Sequence, residues 1–239
     1  MTSVADLRQM DVRETPFAHV MGDQFIAPDV YAQLRATFPE CPPNTGPTGY
    51  SLYWGDEKYE RLLDEQPAWR ALFETFHSQA FIDWGVRQFA SAWKRDGCLV
   101  DLTNARYVPY REDRIDKERA AMRKVEHAPE ELWVRMDIYQ GRPGYLRKVH
   151  TDWPRRVVSM LIYFCDQGTH GLAGGELFLH HSRWNPLARR VKVTPRENLM
   201  VAFPCSAKSH HSVTKIQSMM KPRDYLQVHI SSSVDVWRR

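Results

Sequence analysis

Residues 132–164 read LWVRMDIYQGRPGYLRKVHTDWPRRVVSMLIYF, and this stretch decides the fold. In its first run Val134, Met136 and Ile138 alternate with Arg135, Asp137 and Tyr139, the period-2 pattern of a strand with two unlike faces. Gly141-Arg142-Pro143-Gly144 then marks a turn, YLRKVH a second short run and VVSMLIYF a third. Working outward toward the C-terminus, GELFLHH, RVKVT, LMVAFP, HSVTKI and YLQVHISS continue the texture, making eight runs in all. Glycines between 171 and 175, Pro195 and Pro222 punctuate them. Eight short strands over roughly a hundred residues predict a jelly roll, or double-stranded β-helix.

Upstream the texture is helical. Ala27-Pro28-Asp29 opens VYAQLRATF, with proline where a first helical turn tolerates a missing N–H. Pro39, Pro42, Pro43 and Pro47 predict a loop running to about Tyr50. A second helix is expected over AWRALFETFHSQ, and a third from the stripe Ile82, Val86, Phe89 and Trp93. The dense mixed-charge stretch 111–128 reads as a solvated helix or loop, or as a lid over a site. The whole is expected to be one α+β domain, 1–239. Its first part, 1–128, is mainly helical support with the possible lid, and 132–232 is the jelly-roll core.

At 239 residues, 43% hydrophobic and 26% charged, composition is that of an ordinary globular chain able to bury a substantial core. No apolar run is long enough to span a bilayer, and the first residues lack an apolar signal segment. Cys41, Cys98, Cys165 and Cys205 form no Cys-x-x-Cys pair, so reduced thiols in a cytoplasmic protein are the expectation. A net charge of +4, spread along the chain, does not point to nucleic acid.

The chemistry sits at the end of the second run. On a strand His150 and Asp152 point to one side, so an imidazole and a carboxylate can converge on one metal ion. HHSVTKI offers the third ligand, His210 or His211. Two histidines and one carboxylate on one face of a metal are the facial triad of non-heme iron(II) oxygenases. The triplet alone is a weak signal, since roughly one His-x-Asp arises by chance in a chain of this kind. Order strengthens it: the triplet follows the second run, the distal histidine lies in the seventh, and Arg223 leads into the eighth. A 2-oxoglutarate chelating iron through its keto-acid end would leave its far carboxylate inside the barrel, where a planar guanidinium clasps it. Alone, Arg223 would equally read as a surface charge.

The combination of Tyr139-Gln-Gly-Arg-Pro-Gly-Tyr145, His150-Thr-Asp152, Arg156, LIYF, Gly174-Gly175-Glu-Leu, His211-Ser-Val213 and Arg223 resembles the prolyl-hydroxylase-like branch of the 2-oxoglutarate/iron(II) dioxygenase superfamily. The resemblance covers about residues 132–232. It implies that His150, Asp152 and His211 ligate iron, in preference to His210, and that Arg223 holds 2-oxoglutarate. It also implies roles for Tyr163 beside that carboxylate and for Tyr139 in the pocket. Iron(II), 2-oxoglutarate and O2 are the expected cofactor and co-substrates. The implied reaction is hydroxylation of an unactivated C–H bond with release of succinate and CO2. Asp152 stands where related halogenases have a small residue, which favours hydroxylation.

For the substrate, Arg135 and Asp137 share the face of Tyr139 and either pair with each other or read a polar small molecule such as an amino acid. Trp153 and Arg155, just past the triplet, are candidates for the entrance. Peptide hydroxylation in the same superfamily, a non-catalytic jelly-roll binding module and a cupin-type metalloenzyme are the competing readings.

Overall fold

The computed structural model describes residues 3–43, 49–112, 126–185 and 190–238. All eight expected runs are strands. They are β4 (Glu131–Gly141), β5 (Arg147–His150), β6 (Arg156–Tyr163), β7 (Leu177–His180), β8 (Arg190–Val193), β9 (Met200–Pro204), β10 (His210–Val213) and β11 (Arg223–Ser231). Three short strands precede them: β1 (Val20–Gly22), β2 (Gly49–Leu52) and β3 (Arg106–Tyr107).

The strands form two sheets. The large one runs β1-β9-β6-β11-β4-β2, with β3 pairing β4, and the small one runs β5-β10-β7-β8. Every pairing is antiparallel except β3 with β4. This is the jelly-roll arrangement expected from the sequence. Strands β1 and β2 were not expected. They are three and four residues long, too short to show alternation, and they form only because β9 and β4 offer unpaired edges.

Helices α1 (Pro28–Ala36), α2 (Glu57–Glu65), α3 (Pro67–Phe76), α4 (Gln79–Gln88) and α5 (Ala90–Arg95) support the large sheet. Helix α2 is hidden in the sequence because only Tyr59 and Leu63 turn inward from a charged nonapeptide. The second expected helix ends at Phe76, where Ser78 caps α4 by accepting from the Phe81 N–H. The stripe from Ile82 to Trp93 is broken at Phe89, where α4 ends and α5 begins. The charged stretch 111–128, considered above as a lid, lies outside the described residues except at its ends.

Two apolar clusters divide the interior. One lies between the helices and the outer face of the large sheet and includes Trp69, Phe76, Trp84, Val134, Met160 and Val228. Burying side chains of this size contributes about 1.5–3 kcal/mol each. The second lies between the sheets and holds Tyr139, Tyr163, Leu179, Phe203, Ile216 and Tyr225. Tyr31 and Tyr59 tie the helices to the sheet by donating their hydroxyls to the carbonyls of Tyr163 and Met136.

Candidate metal and co-substrate site

The candidate metal ligands all come from the small sheet and the turn that follows β5. His150 ends β5 and His211 lies directly opposite it on β10, with ring centroids 4.3 Å apart. Asp152, just past β5, places Oδ1 3.9 Å from His150 Nε2 and 3.8 Å from His211 Nε2. One ligand atom from each of the three lies within 4.8 Å of the others, and no other such group occurs among the described residues. His210, the alternative by sequence, points elsewhere along β10 and pairs in register with His180.

Both rings are oriented by backbone. His150 Nδ1 is 2.8 Å from the Lys148 carbonyl and His211 Nδ1 is 2.9 Å from the Ser209 carbonyl. A carbonyl only accepts, so each Nδ1 carries the proton and each Nε2 presents a lone pair toward Asp152. Burial works against the Asp152 anion, but His211, His229, a hydrogen bond from Ser159 and His150 hold its carboxyl well below the usual range. Burial lowers the pKa of His211, which favours the neutral ligand form. The His150 side chain is 39% exposed against 7% for His211, so the site opens on the His150 side.

Deeper between the sheets lies Arg223, fully buried. Its Nε donates to the Gly175 carbonyl at 2.7 Å and its Nη2 donates to the Tyr163 hydroxyl at 3.3 Å. Tyr163 and Tyr225 lie under the guanidinium carbon at 5.1 and 4.5 Å. The Gly175 carbonyl reaches Arg223 because residue 175 has φ +84° and no Cβ, which would sit 3.0 Å from Arg223 Cδ. Burial pushes the Tyr163 hydroxyl up to about 12, only partly offset by Arg223, so it stays protonated and able to donate. Nη1 of Arg223 is buried with no partner among the described residues.

Tyr139 stacks on Tyr225 with centroids 5.3 Å apart, and Tyr225 shares a hydrogen bond with Tyr145 at 3.0 Å between hydroxyls. Sequence reading assigned no role to Tyr145 or Tyr225. The signal available was parity, since Tyr225 lies on the Arg223 face of β11.

Arg135 and Asp137 are paired: Arg135 Nε donates to both Asp137 oxygens at 2.8 and 3.0 Å. Glu112 enlarges the pair, 3.4 Å from Arg135 Nη1 and 2.8 Å from Arg156 Nη1. Arg135 Nη2 is nonetheless buried without a partner among the described residues. Trp153 is exposed in the turn between β5 and β6, and Arg155 beside it is half-buried.

Against protein families, residues 135–227 match the 2OG-Fe(II) oxygenase superfamily. The match spans most of the barrel, from β4 into β11, and includes His150, Asp152, His211 and Arg223. Among solved structures the chain is similar to a prolyl 4-hydroxylase from Phytophthora capsici, with a TM-score of 0.54 and 16% identity. That match covers 90% of this chain and 58% of the other, so this chain spans little more than half of that protein's length. It is also similar to an oxidoreductase of the 2OG-Fe(II) oxygenase family from Burkholderia pseudomallei, with a TM-score of 0.52, 14% identity, and 92% and 87% of the two chains covered. At these identities the likeness is one of fold. No curated protein matches the sequence.

Members of the matched superfamily use iron(II), 2-oxoglutarate and O2, and two observations test whether these residues suit them. The donor set is two imidazole nitrogens and one carboxylate oxygen, the set that fits iron(II) with positions left open. The orphaned Nη1 of Arg223 is a buried cationic donor that lacks an anion. Both fit. Among the described residues no helix is long and apolar enough to cross a membrane.

Proposed function

We propose that the oxygenase domain hydroxylates an unactivated C–H bond of a polar small molecule, an amino acid or similar metabolite, converting 2-oxoglutarate to succinate and CO2. The observation that carries the reading is the pairing of two features in one barrel. Nε2 of His150, Nε2 of His211 and Oδ1 of Asp152 converge at its mouth, and an unpartnered buried guanidinium nitrogen lies within.

In this reading His150, Asp152 and His211 hold iron(II), which when bound supplies activation of O2 at the expense of 2-oxoglutarate. The protein's own part is positional. The carbonyls of Lys148 and Ser209 keep both imidazoles turned with Nε2 outward. Arg223, with its spare Nη1, would hold the far carboxylate of 2-oxoglutarate, and Tyr163 would add a neutral hydroxyl donor beside it. The stacked rings of Tyr139 and Tyr225 line that end, and both residues are buried. Arg135 and Asp137 face the same interior, and the spare Nη2 of Arg135 is a donor for a substrate oxygen. Trp153 and Arg155 border the mouth after Asp152, and the protein is assigned to the cytoplasm.

The test is anaerobic addition of iron(II) and 2-oxoglutarate, following the weak visible charge-transfer band of the iron–keto-acid chelate, then succinate on exposure to O2. Band and succinate are expected from the wild type, absent from His150→Ala and reduced in Arg223→Ala. A folded, metal-loaded protein giving neither would overturn the reading. Amino acids, other polar metabolites and peptides are then screened for increased succinate, and turnover with peptides alone would exclude the small-molecule assignment.

A further inference from the structure

The two oxygens of Asp152 have different surroundings. Oδ1 faces both Nε2 atoms of the histidine pair. Oδ2 is turned away and accepts a short hydrogen bond from Ser159 Oγ. Ser159 Oγ is in turn 2.8 Å from His229 Nδ1 and 3.1 Å from Cys205 Sγ. A serine hydroxyl has one proton to donate. Since that proton is committed to the Asp152 carboxylate, the hydrogen between Ser159 and His229 belongs to His229 Nδ1, which donates to Oγ. Ser159, His229 and Cys205 are all buried, so water does not compete for these bonds.

The brace crosses the barrel. Ser159 is on β6 and His229 is directly opposite on β11, while Cys205 follows β9. Three neighbouring strands of the large sheet thus converge on a carboxylate carried by the small one. Sequence reading gave none of the three a role.

We propose that Ser159, held by His229, is a positioning residue that confines Asp152 to coordination through Oδ1 alone, which rests on the iron-site reading above. Coordination arithmetic gives this a consequence. A facial triad fills three positions of an octahedral ion, a chelating keto acid fills two, and the last is left for O2. A carboxylate that bound through both oxygens would take that last position. By occupying Oδ2, Ser159 keeps it open and removes the rotation of Asp152 that would otherwise have to be frozen on metal binding. Second-layer hydrogen bonds of this kind commonly change metal affinity by about 10–100-fold.

The experiment is titration of the metal-free full chain with Mn(II), which suits the same oxygen and nitrogen donors, following the free-ion EPR signal. Ser159→Ala is expected to weaken Mn(II) binding about tenfold or more, and His229→Leu to weaken it in the same direction. His229→Asn places an amide N–H near the position of Nδ1–H, so it is expected to return affinity to within about threefold of wild type, a recovery that a space-filling role would not produce. The His229 pair carries the test if Ser159→Ala does not fold. Wild-type affinity in both Ser159→Ala and His229→Leu overturns the proposal, as does a His229→Leu loss that His229→Asn fails to recover. Failure of the wild type itself to bind Mn(II) or iron(II) is a different result, and removes the iron site rather than its brace.

Discussion

The two faces of the large sheet are built from the same strands, residue by residue in alternation, and are almost equally buried, yet they do opposite things. On the outer face Val134, Met136, Ile138, Val158, Met160, Ile162, Leu226, Val228 and Ile230 are all at most 1% exposed and pack against helices. On the inner face the same three strands present Arg135, Asp137, Tyr139, Ser159, Tyr163, Tyr225 and His229, again nearly all buried. Burial of the first set is favourable whatever the fine geometry, because the hydrophobic effect is non-directional. Burial of the second is tolerated only where each polar group finds a partner. Stability is therefore concentrated on one face and chemistry on the other, a single residue apart.

That contrast is open to direct attack. Ile138→Ala on the outer face should cost about 2–5 kcal/mol in denaturant unfolding, since neither helices nor sheet can close the cavity. A loss under about 1 kcal/mol would show that the face is not a close-packed core.

On the inner face Arg223→Met should go the other way. Without 2-oxoglutarate it removes a buried, incompletely paired charge, so stability should hold or rise. The wild type should gain about 2.7 kcal/mol at 2-oxoglutarate a hundredfold above its dissociation constant, and the variant should lose most of that gain. Equal stabilisation of both proteins would detach Arg223 from the co-substrate.

A finer cut separates the inner face into its two ends. Arg135→Ala should raise KM for a productive substrate about tenfold or more, the value of a lost charge-assisted hydrogen bond, while sparing 2-oxoglutarate binding. Equal loss of both would make the Arg135–Asp137–Glu112 cluster structural only.

The smallest effect is expected where the outer face stops being apolar. Asp224 sits opposite Gln140, whose amide donates to it at 2.8 Å, and burial pushes its carboxyl up to about 7. The folded state thus holds that proton more tightly than the unfolded chain does. This contribution to stability is present at low pH and is lost as pH rises from the ordinary carboxylate range through about 7. Asp224→Asn keeps the acceptor without the charge. It should flatten that decline, raising the melting temperature at pH 8 by about 2–4 °C for each kcal/mol recovered. An unchanged pH profile would show that water reaches Asp224.

Much of this was legible in the chain alone. The eight strand runs are local patterns, and period-2 alternation survives any change of partner, so β4 to β11 could be read without neighbours. The order of His150, Asp152, His211 and Arg223 is likewise a linear fact, and it was enough to single out the residues of the candidate site. Other elements could not be read. Helix α2 showed only two inward residues, and β1 and β2 are too short to carry a pattern. The choice between a paired and a ligand-reading Arg135 was undecided, and the structure answers with both: a bidentate partner in Asp137 and one donor left over.

By itself, then, the sequence determined the strand content, the donor types and their order along the chain. Each depends on a few neighbouring residues. Tertiary structure alone decided that Ser159 reaches Asp152, that His229 reaches Ser159, and that Glu112 joins Arg135 to Arg156. Those contacts join positions 7 to 70 apart, and strand register sets them: a slip of one residue would exchange the two faces of the sheet.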